Sequence, residues 1–178
     1  MKKFLMTIVA AVAAISVNAQ VYLGGSVGFQ VTSHDGNSTT AWNVTPEVGY
    51  TLSDDLAIGI ALGYGEAGKD ATKVKTLGVN PYLRYNFLKF DHVNIFFDGG
   101  FGFANVDSKS LGYKTNTWNV GLKPGVSLNL NENVSFVAHL GFLGFQSAKP
   151  DFDGAKATNT FGVDLDATNV NFGLYFNF

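Results

Sequence analysis

Four charged residues stand on the less apolar face of segments that are otherwise uncharged: Glu47, Arg84, Asp98 and Lys123. An isolated buried charge costs far more free energy than a paired one, so we expect these two acids and two bases to form a neutral interior network. Such a network could be a static filler that fixes strand register. It could also exchange partners and gate a passage for small ions.

The three histidines are the other candidates for chemistry. A serine-type hydrolytic site needs a histidine, a serine and an acid within mutual reach. His34 lies in a predicted long loop, His92 in a short turn and His139 at an inward strand position, so the three are scattered along the chain. We therefore expect no enzymatic activity, and we expect His139 to fill interior space and form hydrogen bonds.

No motif indicates a cofactor, a metal or a nucleic-acid partner. The chain has no cysteine and a formal net charge of −2, without the clustered basic patch that nucleic-acid binding needs. The glycines of 99–102 are not followed by a helix pattern or by the Lys-Ser/Thr pair of a phosphate-binding loop. Residues 151–154 resemble the start of a calcium loop but lack its further acids and terminal glutamate.

The elements that must position these residues are strands, because apolar residues alternate with small or polar ones along most of the chain. Alternation predicts eight strands, at about 21–31, 41–52, 56–65, 77–87, 93–103, 118–130, 134–145 and 169–178. The chain is therefore predicted to be all-β, an eight-stranded antiparallel up-and-down barrel. An interior that narrow holds only side chains, so bulky inward residues such as Tyr82 and Phe96 must be offset by small neighbours.

The seventh predicted strand is the least regular, because apolar residues occupy both of its faces. One face carries Val134, Phe136, Ala138, Leu140 and Phe142, and the other carries Val137, Leu143 and Phe145. Three prolines, Pro46, Pro81 and Pro124, lie inside predicted strands. Proline has no N–H, so each is expected to cost a ladder hydrogen bond or to mark a β-bulge.

The bulky apolar face is predicted to point outward into lipid. The rival is a soluble barrel of the lipocalin type, with the same alternation and the apolar face inward. That arrangement would overfill the interior and leave a glycine- and asparagine-rich outer wall without a solubilising charge pattern. An Arg or Lys turned to lipid at mid-depth would cost about 2–4 kcal/mol, so the four charges belong in the lumen.

The first 19 residues have the pattern of a secretory signal peptide. Lys2 and Lys3 precede the apolar run 4–15, and Val17-Asn18-Ala19 offers a small-residue cleavage site. We expect residues 1–19 to be removed and residues 20–178 to form one barrel domain.

The last ten residues alternate strictly and end on an aromatic residue, with Phe172, Phe176 and Phe178 on the apolar face. With the alternation upstream, this ending resembles the OmpA/OmpX-like small outer-membrane β-barrel (porin-family) proteins, which commonly end in phenylalanine, over nearly the whole mature chain. The resemblance implies the outer membrane of a Gram-negative bacterium. It also implies contact with lipid and lipopolysaccharide, and insertion by the barrel-assembly machinery with the terminal strand as the signal. We expect the protein to be a monomer.

Connection lengths and aromatic residues predict the orientation of the barrel. Segments 53–55, 88–92 and 131–133 are short, whereas 32–40, 66–73, 105–117 and 146–164 are longer. Outer-membrane barrels keep short turns in the periplasm, so both termini are expected there. Two aromatic girdles are expected at the interfaces, an outer one with Trp42, Tyr64 and Trp118 and an inner one with Tyr50 and Phe87.

The sequence therefore predicts an integral outer-membrane barrel with a structural or adhesive role, exerted through its outer loops. The alternative is a low-conductance channel for ions or small solutes, gated by the interior charges. No motif specifies a surface ligand.

Overall fold

The computed structural model of the protein describes residues 20–34, 37–164 and 170–178, which form ten β-strands. They are β1 (Val21–His34), β2 (Asn37–Thr51), β3 (Leu56–Ala67), β4 (Val74–Lys89), β5 (Val93–Ser108), β6 (Tyr113–Asn129), β7 (Val134–Leu140), β8 (Phe142–Pro150), β9 (Thr158–Asp164) and β10 (Val170–Asn177). One 3₁₀ turn, Asp70–Thr72, precedes β4. Within these ranges there is no helix with the length and hydropathy needed to cross a membrane.

The strands close into an antiparallel barrel with eight positions around its wall. Strands β1 to β6 pair in chain order, β6 pairs with both β7 and β8, and β10 pairs with β7 and with β1. Strands β7 and β8 share the seventh position, and β9 and β10 follow one another in the eighth. The predicted eight-stranded up-and-down barrel is confirmed.

A bulge at Gly141 explains the irregular seventh strand. Gly141 separates β7 from β8 and has φ of 85°, a left-handed conformation that suits glycine. The register of the pairing with β6 shifts by one residue at the bulge. Side chains after the bulge therefore point to the opposite face from the one that period two predicts. Val137 is buried in the lumen before the bulge, and Phe142 borders a lumen cavity after it. The prediction that placed Phe142 on the same face as Phe136 is wrong, because period two does not continue through a bulge.

All three prolines interrupt a ladder, as predicted, but only one lies opposite a bulge. The β2–β3 pairing skips Pro46 and the β4–β5 pairing skips Pro81, and both resume in the same register. Pro124 lies where β6 changes partner from β8 to β7, across from the bulge at Gly141. The missing N–H of Pro124 therefore falls where the ladder is already broken.

The two ends of the barrel differ, and we name them by what they carry. The terminal rim holds Gln20, Phe178 and the short turns 52–55, 90–92 and 130–133, and the Phe178 amide donates to the Val21 carbonyl there at 3.0 Å. The loop rim is the opposite end. There β5 and β6 extend to a four-residue connection, and β8 and β9 to a seven-residue one, 151–157.

The predicted long segments 105–117 and 146–164 are thus mostly strand, so the prediction that they are loops is wrong. Their ladders continue through polar residues such as the paired Asn105 and Asn116, and Asn105 Nδ2 donates to Asn116 Oδ1 at 2.8 Å. The strand ends 105–108 and 113–117 are mostly polar on both faces, so they have no hydrophobic period for a sequence pattern to detect.

The eighth strand position is hydrogen-bonded to β1 over only part of its length. Strand β1 pairs with β10 only from Tyr22↔Asn177 to Ser26↔Gly173, and β9 pairs with β8. Among the described residues, no pairing joins β9 to the loop-rim half of β1.

Candidate functional site in the barrel interior

The centre of the lumen is an ion pair between two neighbouring strands. Arg84 of β4 and Asp98 of β5 are direct partners in the ladder. The guanidinium donates from Nε to Oδ1 and from Nη2 to Oδ2, both at 2.8 Å, and both residues are buried. This bidentate geometry is the strongest form of the pair, because two parallel charge-assisted hydrogen bonds fix both groups.

His139 of β7 completes this cluster from another part of the wall. Its Nε2 lies 2.8 Å from Asp98 Oδ2 and 3.5 Å from Arg84 Nη2. The carboxylate of Asp98 is therefore shared between a guanidinium and an imidazole. The sequence predicts hydrogen bonding for His139 but not its contact with the charged residues, because the register of β7 depends on the bulge at Gly141.

Four aromatic rings enclose the guanidinium. Its Cζ atom lies 4.0 Å from the ring centroid of Phe96, 5.3 Å from Tyr175, 5.4 Å from Tyr82 and 5.7 Å from Tyr22. These distances suit cation–π attraction. We call the layer made by Tyr22, Tyr82, Arg84, Phe96, Asp98, Val137, His139 and Tyr175 the plug.

Each large ring of the plug lies over a glycine on the neighbouring strand. The directly paired residues are Tyr22 with Gly49, Tyr82 with Gly59, Phe96 with Gly125 and Tyr175 with Gly24. A Cβ atom added to any of these glycines would come within 2.0–2.5 Å of the opposing ring. The expectation that small neighbours offset Tyr82 and Phe96 is confirmed, and the same rule extends to two more tyrosines.

Gly59→Ala should therefore destabilise the protein by about 1–3 kcal/mol, because the added methyl group meets the Tyr82 ring in a close-packed interior. Gly63→Ala is the matched control, since it lies on the same strand and an added Cβ meets nothing within 4 Å. Urea unfolding of the refolded protein in phospholipid vesicles measures both. Equal stability of the two variants would mean that the ring is not held against Gly59.

Glu47 binds tyrosine hydroxyls rather than a cation. Its Oε2 accepts from Tyr82 at 2.9 Å and from Tyr175 at 2.7 Å, and the Tyr22 and Tyr82 hydroxyls are 2.9 Å apart. Glu47 thus holds the plug from its loop-rim side. In the predicted network a basic side chain is expected to be the partner of Glu47, and here tyrosine hydroxyls take that place.

Lys123 is the fourth charge. Its Nζ donates to Asn80 Oδ1 at 3.4 Å, and no carboxylate of the described residues lies within 4.0 Å of it. The structure therefore brings Arg84 and Asp98 into contact, but it does not pair Glu47 with Lys123. Of the four charges expected to form one neutral network, Glu47 is thus partnered by tyrosine hydroxyls rather than by Lys123.

Two cavities flank the plug. One of about 520 Å³ opens toward the terminal rim, and one of about 420 Å³, lined by Glu47, Asn80 and Lys123, lies toward the loop rim. Among the described residues, no group of three potential metal ligands converges. The interior offers charge pairing, hydrogen bonding and space filling.

The predicted girdle residues lie on the outer wall near the two rims. Toward the loop rim, Trp42 contacts Tyr64 with ring centroids 5.5 Å apart, and Trp118 contacts Phe145 at 5.1 Å. Toward the terminal rim, the Phe87 ring stacks on Phe97 at 4.8 Å, and the Tyr50 hydroxyl donates to Gln20. The terminal-strand residues Phe172, Phe176 and Phe178 are exposed on the same wall.

A charged group stands at the loop rim. Glu66 accepts from the Tyr64 hydroxyl at 2.7 Å and pairs with Lys73 Nζ at 2.6 Å, while Lys75 lies 3.7 Å away. The hydrogen bond to Glu66 raises the pKa of Lys73. This lysine therefore stays charged over the physiological pH range.

Bulky apolar side chains cover the outside of the wall, while charged and aromatic groups fill its interior. A closed antiparallel barrel of this kind is a transmembrane β-barrel. The chain belongs to the family described as "Outer membrane protein beta-barrel domain", whose model matches residues 4–178. This membership places it in the outer membrane of a Gram-negative bacterium.

Solved structures of small outer-membrane barrels resemble the fold. Neisserial surface protein A (NspA) is 14% identical with a TM-score of 0.57, and the match covers 89% of this chain and 97% of that one. The outer membrane protein OprG from Pseudomonas aeruginosa is 15% identical with a TM-score of 0.54, covering 90% and 96%. At these identities the likeness establishes the fold alone. No curated protein sequence matches the chain.

Proposed function

We propose that the protein is a non-conducting barrel with a structural and surface-binding role, exerted at its loop rim. The observation that carries this proposal is the plug. Phe96 has an exposed fraction of 0%, and it packs against the guanidinium at the centre of the lumen. Close-packed rings and an ion pair fill the middle of the lumen and leave little room for ions. The proposed function therefore lies on the outer surface of the barrel.

The proposed orientation puts the loop rim outside the cell and both termini in the periplasm. The shortest turns and both described chain ends lie at the terminal rim, whereas β5, β6 and β8 extend past the girdle at the other end. Outer-membrane barrels place their short turns in the periplasm. In this orientation the barrel contacts outer-leaflet lipopolysaccharide as a monomer.

The loop rim offers one rigid apolar surface. The Asp151 amide donates to the Lys114 carbonyl at 2.7 Å, and the rings of Tyr113 and Phe152 are 5.0 Å apart, so the β5–β6 and β8–β9 connections are joined. Leu111 and Phe152 are each more than half exposed there. We call Leu111, Tyr113 and Phe152 the tip patch, and exposed aromatic and aliphatic groups on a rigid scaffold are typical of binding surfaces.

Replacing both Leu111 and Phe152 with serine should reduce the adhesion of cells that display the protein to polystyrene and to matrix-coated surfaces. The reason is the loss of the exposed apolar area that the tip patch contributes. Phe90→Ser is the matched control, because Phe90 is equally exposed but lies at the opposite rim. If the double variant adheres as strongly as the parent at equal surface density, the tip patch is not the binding surface.

The alternative function, conduction gated by the interior charges, has one observation in its favour. The plug separates two cavities by a thin layer, and Lys123 stands beside it without a carboxylate partner among the described residues. A gate would use a change of partner by Arg84 or Glu47. Openings of the unmodified protein in a planar bilayer that Glu47→Ala or Arg84→Ala enlarges would favour this alternative over the surface role.

We further propose that the terminal strand is the signal for the barrel-assembly machinery. Phe178→Ala should lower the amount of protein inserted in cells, because it removes the aromatic side chain but keeps the amide that donates to Val21. Spontaneous refolding into vesicles should be unchanged, which separates recognition from closure of the barrel. Normal insertion in cells would exclude Phe178 as part of the signal.

A further inference from the structure

The cavity of about 520 Å³ at the terminal rim has a polar wall and an aromatic floor. The floor is the near side of the plug, where the rings of Tyr22, Phe96 and Tyr175 line the cavity. Amides and hydroxyls from five neighbouring strands, β4, β5, β6, β7 and β10, form the wall. We call this set the amide wall, and its members are Asn86, Asn94, Ser127, Asn129, Ser135 and Asn177.

The strand register turns the amide wall into the lumen. Asn94 is the ladder partner of buried Ser127, and Asn129 is the ladder partner of buried Ser135. Because ladder partners point to the same face of a sheet, both asparagines face the interior. The other two asparagines of the wall face it for the same reason, since each pairs with a ring of the plug.

Two serine hydroxyls orient one of these amides. Ser135 Oγ donates to Asn129 Oδ1 at 2.9 Å, and Ser127 Oγ donates to the same atom at 3.4 Å. With its carbonyl oxygen engaged, Asn129 presents its Nδ2 group as a donor. The side-chain hydrogen bonds of the described residues include none made by Asn86 or Asn94. Their amides are therefore available to whatever fills the cavity.

The chemistry of the cavity selects against ionic and apolar ligands. The amide wall carries no formal charge, Arg84 at the floor is already paired with Asp98, and Asp91 and Glu132 stand in the turns at the mouth. An ion would lose its hydration there without gaining an opposite charge, and an apolar ligand would leave amides and hydroxyls unpaired. A ligand suited to both surfaces is neutral, donates and accepts hydrogen bonds, and has an apolar face.

We propose that this cavity binds a neutral sugar. Each hydroxyl of a pyranose ring both donates and accepts, which matches the amide wall, and the C–H face of the ring suits the aromatic floor. The volume lies within the range of small-molecule pockets. In the proposed orientation the cavity opens to the periplasm, where the sugar is a free saccharide or the end of a cell-wall glycan. The binding itself depends neither on that orientation nor on the tip patch.

Isothermal titration calorimetry of the full mature protein with cellobiose and with N,N′-diacetylchitobiose tests the site. The protein is kept in phosphocholine micelles, because the sugar head groups of maltoside and glucoside detergents would compete. We expect saturable binding of at least one disaccharide with a Kd of about 1 mM or tighter. A preference for the acetamido disaccharide identifies a cell-wall glycan as the source, and a preference for cellobiose identifies a free saccharide.

The Asn86→Leu/Asn94→Leu double variant should weaken this binding about tenfold or more, because it removes hydrogen bonds to the sugar without breaking one within the barrel. Asn119→Leu is the matched control. Asn119 lies on β6, as Asn129 does, but it lines the cavity on the other side of the plug, so this variant should bind like the parent.

A measurement on the unmodified protein keeps the test decisive if the double variant does not fold. The side-chain amide resonances of Asn86 and Asn94 should shift during titration with the disaccharide, while those of Asn119 stay in place. The proposal would be overturned by the absence of saturable binding of either disaccharide up to about 10 mM. Equal affinity of the double variant and the parent, or shifts at Asn119 alone, would also overturn it.

Discussion

Asp98→Asn should lower the free energy of unfolding by about 3–5 kcal/mol, the cost of leaving one partner of a buried ion pair uncompensated. The asparagine keeps the size of the side chain but removes the charge that both Arg84 and His139 contact. Arg84 is enclosed by four rings and has no other carboxylate within salt-bridge distance among the described residues. Urea unfolding in phospholipid vesicles measures the loss.

Two variants separate this cost from a general effect of mutating β5. Asp107→Asn lies on the same strand at the loop rim and should change stability by less than about 0.5 kcal/mol. The Arg84→Met/Asp98→Leu double variant should regain most of the loss, because a hydrophobic replacement of a buried pair is often neutral. A double variant that is less stable than Asp98→Asn would mean that the pair is net stabilising in this lumen.

Phe96→Ala should turn a silent barrel into a conducting one. The ring is fully buried, lies 4.0 Å from the Arg84 Cζ atom and fills the space over Gly125, so its removal joins the cavities on the two sides of the plug. The change also costs about 3–5 kcal/mol of stability, as expected for truncating a buried phenylalanine. Single-channel recording in a planar bilayer is the measurement.

Phe101→Ala is the matched control, since Phe101 lies on the same strand with its ring on the outer wall. It should leave the barrel silent. Conduction by the unmodified protein at the level of Phe96→Ala would refute the closed lumen and with it the proposed surface role. Silence of a folded, inserted Phe96→Ala protein would place the barrier elsewhere in the lumen.

Period-two alternation predicts the barrel well because every strand separates lipid from a narrow interior. Each residue at membrane depth must satisfy one environment or the other, so the pattern persists along β3, where Ile58, Ile60 and Leu62 are exposed and Ala57 and Ala61 are buried. At the loop rim both faces meet water, and the same pattern cannot distinguish strand from loop. This is why β5, β6 and β8 are longer than predicted.

The partners of the interior charges are harder to predict than their location. Arg84 meets Asp98 because of the register between β4 and β5, while the His139 position depends on the bulge at Gly141. A sequence pattern fixes which face a residue takes but not its height relative to other strands. The role of tyrosines as partners of Glu47 follows from the same heights. Among the described residues, Lys123 is left without the carboxylate that charge balance alone would assign to it.

The pairing of rings with glycines has a consequence for how the barrel forms. Tyr175 is on the last strand and its glycine, Gly24, is on the first, so this part of the interior packs only when the two ends of the sheet meet. Arg84 likewise gains the Tyr175 ring only at that step. Closure and interior packing are therefore coupled through contacts of high sequence separation, and contacts of that kind slow folding.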